Sequence, residues 1–119
     1  MERTMAKFVL MLRDQGTFGA DMSPADIQAV IEKYIAWGEG LRQRGQLHLG
    51  EKLRDGEGRV LRPTPGAPTV SDGPFAEARE VIGGFYIISA DDYAAAVAIA
   101  RTCPHMDIGS IEVRLIEEM

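Results

Sequence analysis

Hydrophobic and polar positions change rhythm six times along this chain, and each change marks an element. Ala6 to Leu12 is apolar on both sides of a strand, with Phe8, Leu10 and Leu12 on one face and Val9 and Met11 on the other. A strand greasy on both faces is covered from both sides. Gln15 to Met22 is polar and contains glycine, as a loop does. Ser23-Pro24-Ala25-Asp26 then reads as a helix start, with Ser23 as N-cap and Pro24 in the first helical position. Ile27, Val30, Ile31, Tyr34, Gly38 and Leu41 follow at helical spacing, Trp37 stands at the edge of that stripe, and Gly45 ends the helix.

Gln46 to Leu53 alternates, which predicts a strand with Leu47, Leu49 and Leu53 on one face and His48, Gly50 and Lys52 on the other. Asp55 to Gly58 is a turn. Arg59 to Arg62 and Pro68 to Ser71 predict a short hairpin around Thr64-Pro65-Gly66, set apart from the sheet centre by its prolines. Val81 to Ser89 is a second strand apolar on both faces, and Gly83-Gly84 within it predicts a bulge or a close backbone approach. A helix opens at Ser89-Ala90-Asp91-Asp92, capped by Ser89 or Asp91, with Tyr93, Val97 and Ala100 as its buried side, and Pro104 stops it. Ile111 to Ile116 is the last strand.

The order is strand, helix, strand, hairpin, strand, helix, strand. It predicts one α+β domain over residues 1–119, a ferredoxin-like split β-α-β with an antiparallel sheet and two helices on one face. Two helices cover only one side of such a sheet. Val9, Met11, Ile116 and half of Val81 to Ile88 point to the other side, and an apolar face of that extent is not left in water. The expected remedy is a second copy of the chain, giving a homodimer packed sheet to sheet.

Composition narrows the function. The 119 residues carry a net charge of -5, which argues against nucleic-acid binding, since that needs a basic surface to neutralise phosphates. No stretch is long and apolar enough to span a membrane, and the run from Phe8 to Leu12 is too short for a signal peptide. A single cysteine, Cys103, forms no internal disulfide, so a reducing cytoplasm is the expected setting.

Candidate chemistry gathers around Asp72 to Glu80. Asp72 precedes Gly73-Pro74, where a short acid fixes a turn through its own backbone; alternatively, with Glu77 or Glu80, it makes a carboxylate site for proton transfer. In the last strand Glu112 and Arg114 lie opposite the apolar trio Ile111, Val113 and Leu115. They read as an anion-binding arginine oriented by a carboxylate, or as an ion pair at a subunit boundary. His105, after Cys103-Pro104, is either a proton-transfer group or a surface residue, and His48 is open in the same way. Cys103 lacks an identifiable base and reads as a small core filler. No metal-ligand spacing or phosphate-cradling glycine loop is present, so no cofactor is indicated.

Asp72-Gly73-Pro74-Phe75-Ala76-Glu77 with Arg79-Glu80, together with Gly83 to Ile88 and Gly109 to Arg114, resembles the YCII-related family in its DGPF branch. The resemblance spans most of the chain and implies a ferredoxin-like domain that dimerises into an α+β barrel. It departs where Ala78-Arg79 replaces Thr-Lys and where Leu115 replaces a proline, and neither His48 nor His105 falls where better-known YCII proteins carry a His-Asp pair. Relatives of this superfold include cofactor-free oxygenases and lactone isomerases, so an enzyme is implied by analogy. The resulting expectation is a small-molecule cleft on the sheet face, with Asp72, His105 and Glu80 in metal-free acid-base work and Arg114, Glu112 and Arg79 binding the substrate. DGPF genes often neighbour those of extracytoplasmic-function sigma factors, which implies the alternative of a non-catalytic accessory in sigma-factor-linked regulation.

Overall fold

A computed structural model describes residues 5–73 and 80–119. Six strands and two α-helices run in the order β1 (Ala6–Asp14), α1 (Pro24–Gln43), β2 (Leu47–Lys52), β3 (Arg59–Arg62), β4 (Thr69–Asp72), β5 (Val81–Ala90), α2 (Tyr93–Arg101) and β6 (Ser110–Leu115), with a 3-10 turn at Pro104–Asp107. The main sheet is antiparallel in the order β2-β5-β1-β6, while β3 and β4 form a separate two-stranded sheet. This is the ferredoxin-like α+β arrangement expected from the sequence.

Phe8, Leu10 and Leu12 of β1 are buried together with Ile88, Leu41 of α1 and Ala96 and Ala100 of α2. Both helices therefore pack on one side of the sheet. Val9, Met11, Phe85 and Ile87 face the other side half-buried, and Ile82 and Leu49 are exposed. Period-2 alternation in β1 decides this division, because neighbouring side chains leave a strand on opposite faces.

Ser23 caps α1 by accepting from the Asp26 N–H at 3.1 Å, and Pro24 takes the first turn, where its missing N–H costs nothing. Gly45, with φ of 70°, ends the helix in the left-handed conformation. Within the predicted stripe Gly38 and Leu41 are buried, but Ile31 is exposed. The α1 helix thus lies down on the sheet mainly through its second half.

Three local expectations need correction. Asp92 caps α2, not Ser89 or Asp91: its carboxylate accepts from the Ala95 N–H at 2.8 Å. Ser89 and Ala90 are still in β5, and the buried side of α2 is Ala96 and Ala100 instead of Tyr93. Tyr93 is half-exposed, yet its ring meets Phe8 edge-on at 5.0 Å and its hydroxyl accepts from the Leu115 N–H. In β2 the simple alternation fails, because Leu47 opposes Ile88 and Leu49 opposes Ile87, which leaves His48 as an extra residue. After that irregularity Leu49 and Leu53 do not join the core and remain about two-fifths exposed, at 42% and 41%.

The bulge expected at Gly83-Gly84 is present. Leu12 opposes Gly84 and Arg13 opposes Ile82, so Gly83 is the inserted residue. A Cβ on Gly84 would lie 2.9 Å from the Glu51 carbonyl oxygen, which is the close approach a glycine permits.

Candidate functional site

At the carboxyl end of β1 the chain turns away from the sheet, and its next residues wall a hollow. Asp14, Gln15, Thr17, Phe18, Glu80, Ile108 and Gly109 line it, with a volume of about 180 Å³. The Asp14 carboxylate accepts from the Gly16 N–H at 2.6 Å, which pins the turn leaving the strand. Across the hollow, Ser110 donates its hydroxyl to Glu80 at 2.7 Å. Two carboxylates, one held by a backbone amide and one by a serine, therefore face a common space. Such a lining favours a ligand that brings hydrogen-bond donors or positive charge.

His105 sits behind this wall, at the 3-10 turn, and is only 3% exposed. Its Nε2 lies 2.8 Å from the Arg13 carbonyl oxygen and its Nδ1 lies 2.9 Å from the Tyr34 hydroxyl. A carbonyl only accepts, so Nε2 carries a hydrogen; in the neutral ring Nδ1 then accepts from Tyr34. Burial first, and then neighbouring Cys103, hold the Tyr34 hydroxyl far above the usual phenol range, so it stays a donor. His105 thereby ties α1 to the end of β1 and acts on the hollow through position. Gly109 separates the two: a Cβ there would meet the Arg13 carbonyl oxygen at 2.0 Å and His105 Nε2 at 3.0 Å.

The other residues singled out in the sequence lie elsewhere. Glu112 and Arg114 are on the helix-free face, opposite Met11 and Val9. Glu112 pairs with Arg13 at 2.9 Å, a partner the sequence did not reveal, while Arg114 stands 4.0 Å away from it. Asp72 ends β4, with its side chain 93% exposed and 3.4 Å from Arg59 across the hairpin. Arg79 and Glu77 fall outside the described residues. The expected single cleft of Asp72, Glu80, His105 and Arg114 is thus divided among three places, and only Glu80 and His105 share one, on either side of Gly109.

Sequence reasoning passed over Asp14, Thr17 and Ser110. Asp14 was visible only as the charge after an apolar run, and Ser110 only as a member of the closing motif Gly109 to Arg114, with no role attached. Their convergence depends on β1 pairing with β6, which places Arg13 opposite Ser110.

A wider groove, about 510 Å³, runs between α1 and β2 over Tyr34, Gly38, Leu47, Gly50 and Tyr86. A Cβ on Gly50 would lie 2.5 Å from the Tyr86 ring, which explains the glycine there. Burial pushes the Tyr86 hydroxyl up to about 12. At its margin His48 Nε2 lies 2.6 Å from the Ser89 hydroxyl. Cys103 is buried, and its thiol is pushed up by burial to about 11, so it stays protonated at neutral pH, as a core filler does. Among the described residues no cluster of three or more His, Cys, Asp or Glu is placed to hold a metal, and no helix is long and apolar enough to cross a membrane.

No curated protein matches the chain in sequence. Among solved structures it is similar to 5-chloro-2-hydroxyhydroquinone dehydrochlorinase from Burkholderia phenoliruptrix, in complex with 2,5-dihydroxybenzoquinone, at 15% identity and a TM-score of 0.47, with 95% of each chain covered. That likeness is too remote to carry an activity from one protein to the other. The model of the YCII-related domain matches residues 6–119, nearly the whole chain. The chain belongs to the YCII-related family.

Proposed function

We propose that this protein is a homodimer that binds a small, hydrogen-bond-donating molecule in the hollow between Asp14, Glu80 and Gly109, with Glu80 placed to exchange a proton with it. The observation that carries this reading is the 2.7 Å bond from Ser110 to Glu80. One carboxylate oxygen is held by the serine, so the group is oriented before a ligand arrives, as acid-base work requires. Asp14, pinned by the Gly16 amide, supplies the second acceptor.

What supports the dimer is surface area. The chain leaves 8698 Å² accessible. A folded monomer of 13.0 kDa leaves about 6,300 Å² by size scaling. The surplus, about 2,400 Å², is on the scale that one subunit of an obligate dimer buries. The half-buried residues Val9, Met11, Phe85 and Ile87 on the helix-free face are the natural centre of such a contact, with Glu112 and Arg114 at its polar border.

Thermal shift against a panel of small amines and polyhydroxy compounds tests the site, since a ligand that binds only the folded state raises the melting temperature. Compounds that stabilise the natural protein should lose that effect on Glu80→Gln. Equal shifts for both proteins would move the binding site away from Glu80.

A further inference from the structure

The β3–β4 hairpin does not belong to the main sheet, and what it does present is unusual for a surface loop. Leu61 and Val70 face each other across the two strands and are 63% and 61% exposed. Arg59 and Asp72 are the next pair along on the same side, joined at 3.4 Å. An apolar centre beside an ion pair is the pattern of a contact surface: a greasy middle with a polar margin. Between the strands, Pro63, Pro65 and Pro68 stiffen the turn, and Thr64 donates its hydroxyl to the Ala67 carbonyl.

A two-stranded hairpin of this length has little stability of its own in water, so it needs a surface to rest on. The dimensions of the chain point the same way. Its radius of gyration is 16.6 Å and it extends 51 × 44 × 18 Å. A compact domain of this length has a radius of gyration of about 13.5 Å. The chain is a flat body whose spread is unmatched by its own core.

We infer that the β3–β4 hairpin is an arm that clasps a second copy of this chain, with the Leu61–Val70 pair laid on the partner subunit and the Arg59–Asp72 pair at the margin. This rests on the homodimer proposed above and assigns Asp72 to association instead of proton transfer. A second copy is the favoured occupant because the surplus accessible surface already matches what one subunit buries in a dimer, and the arm belongs to that surplus.

The test is a dilution series by analytical ultracentrifugation on the natural protein and on a Leu61→Ser/Val70→Ser variant, with amide hydrogen exchange of residues 59–62 and 69–72 read at high and low concentration. Both side chains are exposed in the single chain, so the variant keeps its fold, which circular dichroism checks. The arm predicts a dissociation constant raised at least tenfold in the variant, and hairpin amides that exchange slowly in the dimer and quickly on dilution. A natural protein that is dimeric, with the variant equally so and hairpin exchange independent of concentration, overturns the arm and leaves the dimer standing. Slow exchange at dilutions where the protein sediments as a single chain seats the hairpin on its own chain and overturns it as well. A natural protein that stays monomeric throughout overturns both readings together.

Discussion

The Tyr34 hydroxyl lies 2.9 Å from His105 Nδ1, and the far nitrogen of the same ring lies 2.8 Å from the Arg13 carbonyl oxygen. One buried histidine thus joins the first helix to the end of the first strand, where the hollow begins. A buried ring satisfied at both nitrogens stabilises, and becomes costly when one partner is removed.

Tyr34→Phe should therefore lower the unfolding free energy by about 1 kcal/mol. His105→Ala should cost about 3 kcal/mol, since it leaves both a cavity and an unpaired carbonyl. Urea unfolding of the two variants and of their double measures the coupling. A double variant that costs the full sum of the singles would show the contact to be idle.

Gly109→Ala should destabilise by about 1–3 kcal/mol or more, because its Cβ would lie 2.0 Å from a backbone oxygen that cannot swing aside. Thermal and urea unfolding check this. Gly45, which is exposed with nothing within 4 Å of a built Cβ, offers a contrast. There Ala is penalised only by the left-handed backbone, by about 1 kcal/mol.

Alkaline pH should weaken the fold. Burial raises Cys103 from its ordinary 9.0 to about 11, and Tyr86 from 10.0 to about 12. Between those values the unfolded chain gives up protons that the folded chain keeps. Stability from these groups is thus complete below about pH 9 and lost as pH rises toward 11 and 12. Urea midpoints from pH 7 to 11 should fall over the upper half of that range. Cys103→Ala should flatten the fall between pH 9 and 10, where the thiol acts before the phenol. A midpoint that rises there, or an unaltered slope in the variant, would contradict the assignment.

Ser110→Ala should loosen Glu80 without emptying the hollow. For a compound that stabilises the natural protein, affinity should drop roughly fivefold, the equivalent of about 1 kcal/mol for one lost hydrogen bond. Titration calorimetry reads the change, and an unaltered affinity would mean that the serine does not orient the carboxylate used in binding.

Much of this fold was legible along the chain, and the reasons are physical. Ser23-Pro24 marks a helix start by local chemistry alone, and the alternation of Phe8, Leu10 and Leu12 needs nothing beyond a sheet with one covered face. Gly83-Gly84 announced both features found there: Gly83 is the inserted residue of the bulge, and Gly84, having no side chain, tolerates the approach of Glu51. The cap of α2 was misplaced because Ser89, Asp91 and Asp92 are chemically alike as caps, and the choice depends on how far β5 pairs with β1. The irregularity at His48 was equally hidden, since leucines at 47, 49 and 53 alternate whether or not an extra residue slips into the ladder.

The site was less legible than the fold. Glu80 was singled out from its neighbourhood in the sequence, but its partner Ser110 is 30 residues away. His105 was recognised as chemically able, yet its burial depends on Tyr34, 71 positions earlier, and on the Arg13 carbonyl, 92 earlier. Arg114 was grouped with them for its charge opposite an apolar trio and Asp72 for its place before Gly73-Pro74, and tertiary structure sends these two to different surfaces.

In the proposed homodimer a second subunit covers the helix-free side of the sheet. Sedimentation equilibrium of the natural protein at micromolar concentration distinguishes a covered face from a bare one. A covered face gives a mass twice that of the 13.0 kDa chain, falling to a single chain when Met11→Asp and Phe85→Asp are combined. A natural protein that sediments at 13.0 kDa at that concentration, still folded, would contradict it.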